Sequence, residues 1–375
     1  MKRLVLLGGG HSHVEVLRRF GTDPLSDTEI VLVSPYPDSP YSGMLPGWIA
    51  GHYTRDECHI DLTRLTRFAN CDFVQSACNG INPEARLVFC ENGTALPYDV
   101  VSVDTGTRSP AYCTPGAPEY ALAVKPVEQF VPVWDEICKR TVSGLAPRRI
   151  VVVGGGAAGV EMLLAIQYRL RTLAPASKTS FSLASDAVSI LATHNSKVRA
   201  IFMHVLERRG VTLHLGHAVE RVDHDGVRLR GGGSLKADIV VWATGASAPL
   251  WPWSVGLAND EHGFMLVNEQ LQSVSHPQVF ASGDIASVQN HPRPKSGVYA
   301  VRAGPSLAEN LRRTLRGERL VAWKPQKEAL ALISTGDRYA IASRGNLALE
   351  GKWVWQWKNW IDRRFVKRYE ISRMS

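Results

Sequence analysis

IVVVGGGAAGVEMLLAIQYRL, from Ile150 to Leu170, is the stretch on which the fold turns. A short β-branched run meets a glycine cluster, and a helical stretch follows. In a βαβ unit the first glycine permits a tight turn, the second lets backbone approach a pyrophosphate, and the third lets helix pack on strand. Gly154, Gly156 and Gly159 occupy those three positions. Amides at the helix start would then face the negative charge. The alternative is a glycine-rich turn of some other α/β fold.

The same pattern opens the chain, as LVLLGGGHSHVEVLRRF from Leu4. Gly8 and Gly10 match, but His13 stands at the third position, where a side chain is expected to push helix and strand apart. Each loop precedes a second strand, Ile30 to Val33 and Ser180 to Ala184. Neither strand ends in the acid that grips a ribose hydroxyl. Ser34 and Ser185 stand there, with Asp186 next door, so NADH against NADPH is left open. Two later segments repeat as well, YDVVSVDTG (Tyr98 to Gly106) and ADIVVWATG (Ala237 to Gly245), which points to an internal duplication. Asn92-Gly93 and Asp225-Gly226 each mark a tight turn before the second strand of a β pair. HPQVFASGDIAS (His276 to Ser287), a helix from Tyr299 to Leu315, a strand pair in LALISTGDRYAIASRG and a last helix in GKWVWQWKNWIDRRFVKRY complete the order.

The expected fold is therefore α/β, with two Rossmann-like dinucleotide-binding domains, the second inserted in the first, and a small C-terminal tail domain. Boundaries are placed at 1–115 and 251–320 for the first domain, 116–250 for the second and 321–375 for the tail. At 375 residues, with 45% hydrophobic and 21% charged residues, the chain suits several packed domains and no extended disorder. The apolar run Leu4 to Leu7 is too short for a signal-peptide core, and no apolar stretch reaches the length of a spanning helix. A cytoplasmic protein follows, with any membrane contact peripheral and at the inner face. Six cysteines, Cys58 to Cys138, form no Cys-x-x-Cys or Cys-x4-Cys pair, so neither a redox-active dithiol nor a metal site is expected.

Several long phrases in order, GGGHSHVEVLRRF, SPYSGMLPGWIAGHY, DECHIDL, RPKSGVYAVRAGP and WQWKNWIDRRF, carry a resemblance that spans the chain. It resembles the FAD-dependent pyridine nucleotide-disulfide oxidoreductases, within them the type II NADH:quinone dehydrogenases, and there the subgroup found beside or fused to selenophosphate synthetase. The resemblance implies FAD on Gly8, Gly9, Gly10 and the neighbouring His11, with Ser34-Pro35 matching the family's Ser-Pro and Thr105-Gly106 closing the site. It implies NAD(P)H on Gly154, Gly156 and Gly159, with Thr244-Gly245. Gly283-Asp284 would meet the ribityl or phosphate region of the flavin, the alternative being an Asp that caps the next helix. Val298 and Tyr299 begin a helix whose N-terminus would face the flavin pyrimidine. Lys295 adds a positive charge there, or is a solvated loop lysine. Glu161 resembles a glutamate near nicotinamide and flavin, the alternative being a first-turn acid of its helix. His11, His13, His59 and Cys58 are acid–base candidates against a plain packing role. The family's quinone-motif glutamines are absent, with Arg302 and Gly304-Pro305 in their place.

The net charge of +8 gathers in the tail, where Lys352, Lys358, Arg363, Arg364, Lys367, Arg368 and Arg373 face only Asp362 and Glu370. Trp353, Trp357, Trp360 and Ile361 share a helix face suited to an anionic membrane interface, the alternative being packing on the protein or a second subunit. No recognition motif points to nucleic acid. The expected activity is hydride transfer from NAD(P)H to FAD and two electrons onward to a small-molecule acceptor, a quinone. The rivals are a soluble selenium or sulfur acceptor and a low-turnover flavin redox sensor; the resemblance also implies a functional link to selenophosphate synthetase.

Overall fold

A computed structural model describes residues 1–371. In chain order the first half runs β1 (Lys2–Leu7), α1 (His11–Thr22), β2 (Thr28–Ser34), β3 (Asp72–Gln75), a meander of β4 (Cys78–Asn82), β5 (Leu87–Cys90) and β6 (Ala95–Pro97), then β7 (Val100–Val103). The second half runs β8 (Ala121–Ala123), α2 (Val127–Val142), β9 (Arg149–Val153), α3 (Ala157–Leu173), β10 (Ser180–Ser185), α4 (Ser196–Arg208), β11 (Val211–Leu215), a meander of β12 (Val219–Asp223), β13 (Gly226–Leu229) and β14 (Ser234–Lys236), and β15 (Ile239–Trp242). The chain returns through β16 (Val279–Ala281) and α5 (Gly297–Arg316), then ends in β17 (Ala331–Ser334), β18 (Ala340–Arg344), β19 (Leu347–Gly351) and α6 (Lys352–Lys367).

Both halves build a five-stranded parallel sheet of the same order, β16-β7-β1-β2-β3 and β8-β15-β9-β10-β11. The glycine-loop strands β1 and β9 lie at the centre. Strands covered on both faces read as unbroken apolar runs, and Leu4 to Leu7 are wholly buried. The edge strand β16 reaches the first sheet only after the second sheet is complete, which is the topology of an insertion. The meanders also match, each with a register shift near the start of its first strand pair. The two sequence turns do not correspond, however. Asn92-Gly93 joins the second and third strands of its meander, whereas Asp225-Gly226 joins the first and second of the other. Both are tight turns, but Gly231 to Gly233 hold the place equivalent to Asn92-Gly93.

α1 buries Val14, Val16, Leu17 and Phe20 between the first sheet and α5. The helices approach closely at Gly304, where a Cβ would fall 2.9 Å from the Cβ of Glu15. That contact gives Gly304 a packing role.

The tail contains three antiparallel strands, one more than the expected pair, because Leu347–Gly351 adds β19 to the sheet. Gly336, in the β17–β18 turn at φ +84°, sits where a Cβ would be 2.2 Å from the carbonyl oxygen of Leu164 in α3. α6 turns Val354, Lys358, Asp362, Phe365 and Val366 inward. Its other face leaves Trp353, Trp357 and Trp360 at 51, 36 and 57% exposure. Arg373 lies outside the described residues. Among the described residues no helix is long and apolar enough to cross a membrane.

Candidate functional site

Gly8 leaves β1 with φ +89°, and a Cβ there would fall 2.5 Å from the backbone oxygen of Asp104. Only glycine permits both the turn and the approach. Gly10 is the N-cap of α1 and has no side chain to offer; the Asp104 carboxylate meets the first-turn amides instead. His13 does not push helix and strand apart. Its Nδ1–H donates to the Gly8 carbonyl at 2.7 Å, and its Nε2 accepts from Ser102 Oγ at 2.8 Å. The ring thus satisfies the same carbonyl against which Gly159 packs in the second half. Burial, only partly opposed by the Gly8 bond, lowers its pKa to about 4, so it is neutral.

Around this loop gather Thr105, Gly106 at φ +72°, Gly283 at φ +69° and Asp284. Asp284 caps no helix, since Ser296 is the N-cap of α5; instead its carboxylate pairs with Lys125 at 3.1 Å. His11 Nε2, Thr107 Oγ1 and Ser282 Oγ are buried polar atoms with no protein partner. Buried polar groups call for partners, and such unpartnered atoms beside a loop of glycine backbone suit a dinucleotide such as FAD. Ser34 ends β2, its hydroxyl donating to the Tyr36 carbonyl at 3.1 Å, with Pro35 beside it.

The second loop is built alike. Gly154 has φ +129°, and a Cβ at Gly159 would lie 1.9 Å from the Gly154 carbonyl oxygen. Gly156 is the N-cap of α3, among the described residues no side chain accepts from its first-turn amides, and a Cβ on Gly156 would meet nothing within 4 Å. Thr244 Oγ1 accepts from Trp242 Nε1 at 2.7 Å, and Gly245 borders open space.

Between the halves the N-terminus of α5, with Val298 and Tyr299 in its first turn, abuts the segment Tyr41 to Gly43. A Cβ on Gly297 would lie 3.0 Å from Ser42 Oγ. Behind that segment Lys358 Nζ donates to the Gly43 carbonyl and to Asp362, each at 2.6 Å. Tyr41 lies beside the same carboxylate, and burial together with Asp362 raises its phenol. Glu161 joins this cluster. It is the fifth residue of α3, beyond the first turn, and its Oε1 accepts from Ser334 N at 2.7 Å and Ser334 Oγ at 3.0 Å. Burial raises its pKa, against the pull of Lys358 and the Ser334 bonds. Burial likewise raises Asp362, while Asp362 and Glu161 outweigh burial at Lys358 and raise it. The arrangement gathers two carboxyls and one ammonium out of water behind the Tyr41 to Gly43 segment.

Lys295, just before the Ser296 N-cap of α5, faces a cavity that Tyr299 and Gly283 also line. Its Nζ donates to the Ala286 carbonyl at 2.7 Å and sits 3.8 Å from the Phe264 ring centre, on this cavity of about 290 Å³ that Asp284 also lines. Burial lowers it to about 8. Cys58 is buried, its thiol raised to about 12 by burial, and His59 is bonded to the Arg55 carbonyl at 2.7 Å, so both are packed groups. Sequence reasoning missed Asp104, Lys125, Tyr41 and the Lys358–Asp362 pair. Only the last left a signal, the i,i+4 spacing of opposite charges.

A family profile described as pyridine nucleotide-disulphide oxidoreductase matches residues 2–304. The NADH dehydrogenase-like protein YutJ of Bacillus subtilis is 21% identical over 331 residues, 87% of each chain. Among solved structures, the sulfide:quinone oxidoreductase of Aquifex aeolicus superposes with a TM-score of 0.81 at 17% identity, covering 98% of this chain and 91% of that one. NDH2 of Plasmodium falciparum in complex with NADH does so at 0.79 and 14% identity, covering 100% and 98%.

Proposed function

Because the chain belongs to the pyridine nucleotide-disulphide oxidoreductase family, whose chemistry is FAD-dependent, we propose that it oxidises NAD(P)H and delivers two electrons to a quinone. FAD, when bound, supplies the two-electron carrier between nicotinamide and acceptor. Gly8, Gly9, Gly10 and His11 would hold its diphosphate side, with Ser34-Pro35, Thr105-Gly106, Gly283 and Asp284 along its length. Gly154, Gly156, Gly159, Thr244 and Gly245 would hold the nicotinamide dinucleotide. The amide end of α5 at Val298 and Tyr299 offers its dipole to developing negative charge. Glu161 and Lys358 hold protons near that end, and Lys295 does so from the cavity side.

The observation that carries the quinone reading is the two-sidedness of α6. One face buries Lys358 and Asp362 against the Tyr41 to Gly43 segment, and the other presents exposed Trp353, Trp357 and Trp360. Tryptophans among lysines and arginines suit an anionic bilayer interface, so an acceptor carried in lipid would arrive where the polar cluster lies. The relatives' names, NADH dehydrogenase-like protein and sulfide:quinone oxidoreductase, support the same reading. Anaerobic stopped-flow mixing of the flavin-loaded protein with NADH, followed by a short-chain quinone, tests it. Flavin bleaching by NADH and rapid recovery of absorbance with quinone are expected. Bleaching that quinone does not reverse rejects the acceptor, and no bleaching rejects the donor.

A further inference from the structure

The two glycine loops differ at one residue on the neighbouring strand. Just before Thr-Gly the second half carries Ala243 and the first carries Asp104. Asp104 is 3% exposed, and its Oδ2 accepts from the amides of Ser12 at 2.8 Å and His13 at 3.1 Å, in the first turn of α1. The carboxyl is also wedged between two glycines. A Cβ on Gly10 would fall 2.3 Å from its Cγ, and one on Gly283 would fall 2.2 Å from its Oδ1. Among the described residues no side chain accepts from the first-turn amides of α3, and a Cβ on its N-cap Gly156 would meet nothing within 4 Å. The amide end that is open to an anion in the second half is therefore filled by one in the first. Helix N-terminal amides are the ready site for phosphate, and like charges brought together disfavour ionisation of one of them.

Resting on the assignment of the first loop to FAD, we infer that Asp104 is a positioning residue for that cofactor: it keeps the diphosphate off the Ser12 and His13 amides, seats it on the loop backbone, and takes up one solvent proton as the cofactor binds. In its acid form the carboxyl can donate to a phosphate oxygen instead of repelling it.

The surroundings favour such a proton. Burial raises Asp104 to about 7 against the His13 and Ser12 amide bonds, with Asp284 adding to the rise. The other groups facing it are few. From α1 come His13 and His11, each held neutral by burial with a pKa of about 4. From the turn after β16 comes Asp284, already paired with Lys125. From α5 comes Ala300, 3.6 Å from where a Cβ on Gly283 would lie, and its carbonyl accepts from Ser12 Oγ at 2.7 Å. None of these supplies a cation directly to the Asp104 carboxylate.

The test is FAD affinity against pH on the flavin-stripped protein, read by quenching of flavin fluorescence. For the wild-type chain the dissociation constant should rise by up to about tenfold per pH unit above neutrality, the slope of one linked proton. Asp104→Asn keeps the shape and an amide acceptor but cannot ionise, and should hold a flat profile. Parallel profiles for the two proteins overturn the inference. Should Asp104→Asn not fold, Asp104→Ala, which copies Ala243 of the second half, carries the same expectation. Calorimetry of the wild-type protein at pH 8 in buffers of different ionisation enthalpy needs no variant: uptake of about one proton supports the inference, and none overturns it. If FAD binds at no pH to wild type or variant, the assignment of the first loop to FAD falls, and this inference with it.

Discussion

Replacing Lys358 by Met removes a buried cation while keeping the length of its stem. In the native chain Nζ lies 2.6 Å from Asp362 and 2.6 Å from the Gly43 carbonyl, and the pair is almost wholly shielded, with 11 and 6% of the two side chains exposed. Breaking one partner of such a pair strands the other charge, at a cost of about 3–5 kcal/mol. The cost should depend on pH in a definite direction. Burial holds Asp362 above its ordinary value even with Lys358 present, and loss of the cation moves it further up. A carboxyl whose folded pKa lies above its unfolded one penalises folding at high pH, and the penalty fades as pH falls toward the unfolded value of about 3.9. Urea unfolding followed by tryptophan fluorescence should therefore show a larger loss for Lys358→Met at pH 8 than at pH 5. Adding Asp362→Leu should recover most of it, since an apolar pair of similar volume is often neutral. A loss under about 1 kcal/mol, a loss that grows toward acid pH, or a double variant no better than the single one would refute the description of this cluster.

Three further outcomes are expected. Gly159→Ala places a Cβ 1.9 Å from the Gly154 carbonyl oxygen, so the NADH dissociation constant should rise at least about tenfold, a loss of about 1.4 kcal/mol, while FAD content is unchanged; an unaltered NADH titration contradicts the packing. His13 has a folded pKa lowered to about 4 by burial, so it contributes stability present above pH about 6.5 and lost as pH falls toward 4, roughly 3 kcal/mol in all. In His13→Gln the slope of unfolding free energy across that acid range should be shallower, and an equal slope rejects the assignment. Replacing Trp353, Trp357 and Trp360 together by Ser should abolish flotation with anionic vesicles and leave NADH oxidation in solution intact; retained flotation rules out the exposed stripe as the contact.

Much of the fold was legible because it is written locally. Apolar β-branched runs before glycine clusters, and glycines whose φ no other residue adopts easily, appear in a single stretch of chain, twice. What was hidden depends on meetings across long separations. Asp104 reads as one more residue of a strand, and only the fold carries its carboxylate to the amides of Ser12 and His13. Lys125 reads as a loop lysine until it meets Asp284. His13 looked like an intruder at a glycine position because the rule weighs only volume, whereas the imidazole answers a carbonyl that would otherwise lack a donor. On α6 the tryptophans drew the eye to the outer face, while the chemistry-bearing Lys358 and Asp362 sit on the inner one. Strand β19 was missed since five residues ending in Gly351 run straight into a helix.

The tail touches both halves. Ser334 and Gly336 close on α3 of the second half, while Lys358, Arg363 and Tyr369 reach Gly43, Glu57 and Glu15 of the first. Two lobes tied together through one tail are held at a fixed spacing. A nicotinamide dinucleotide must slip into a crevice whose width is set before it arrives, so its capture should proceed in one phase, with a rate that rises linearly with concentration and no plateau set by a closing motion.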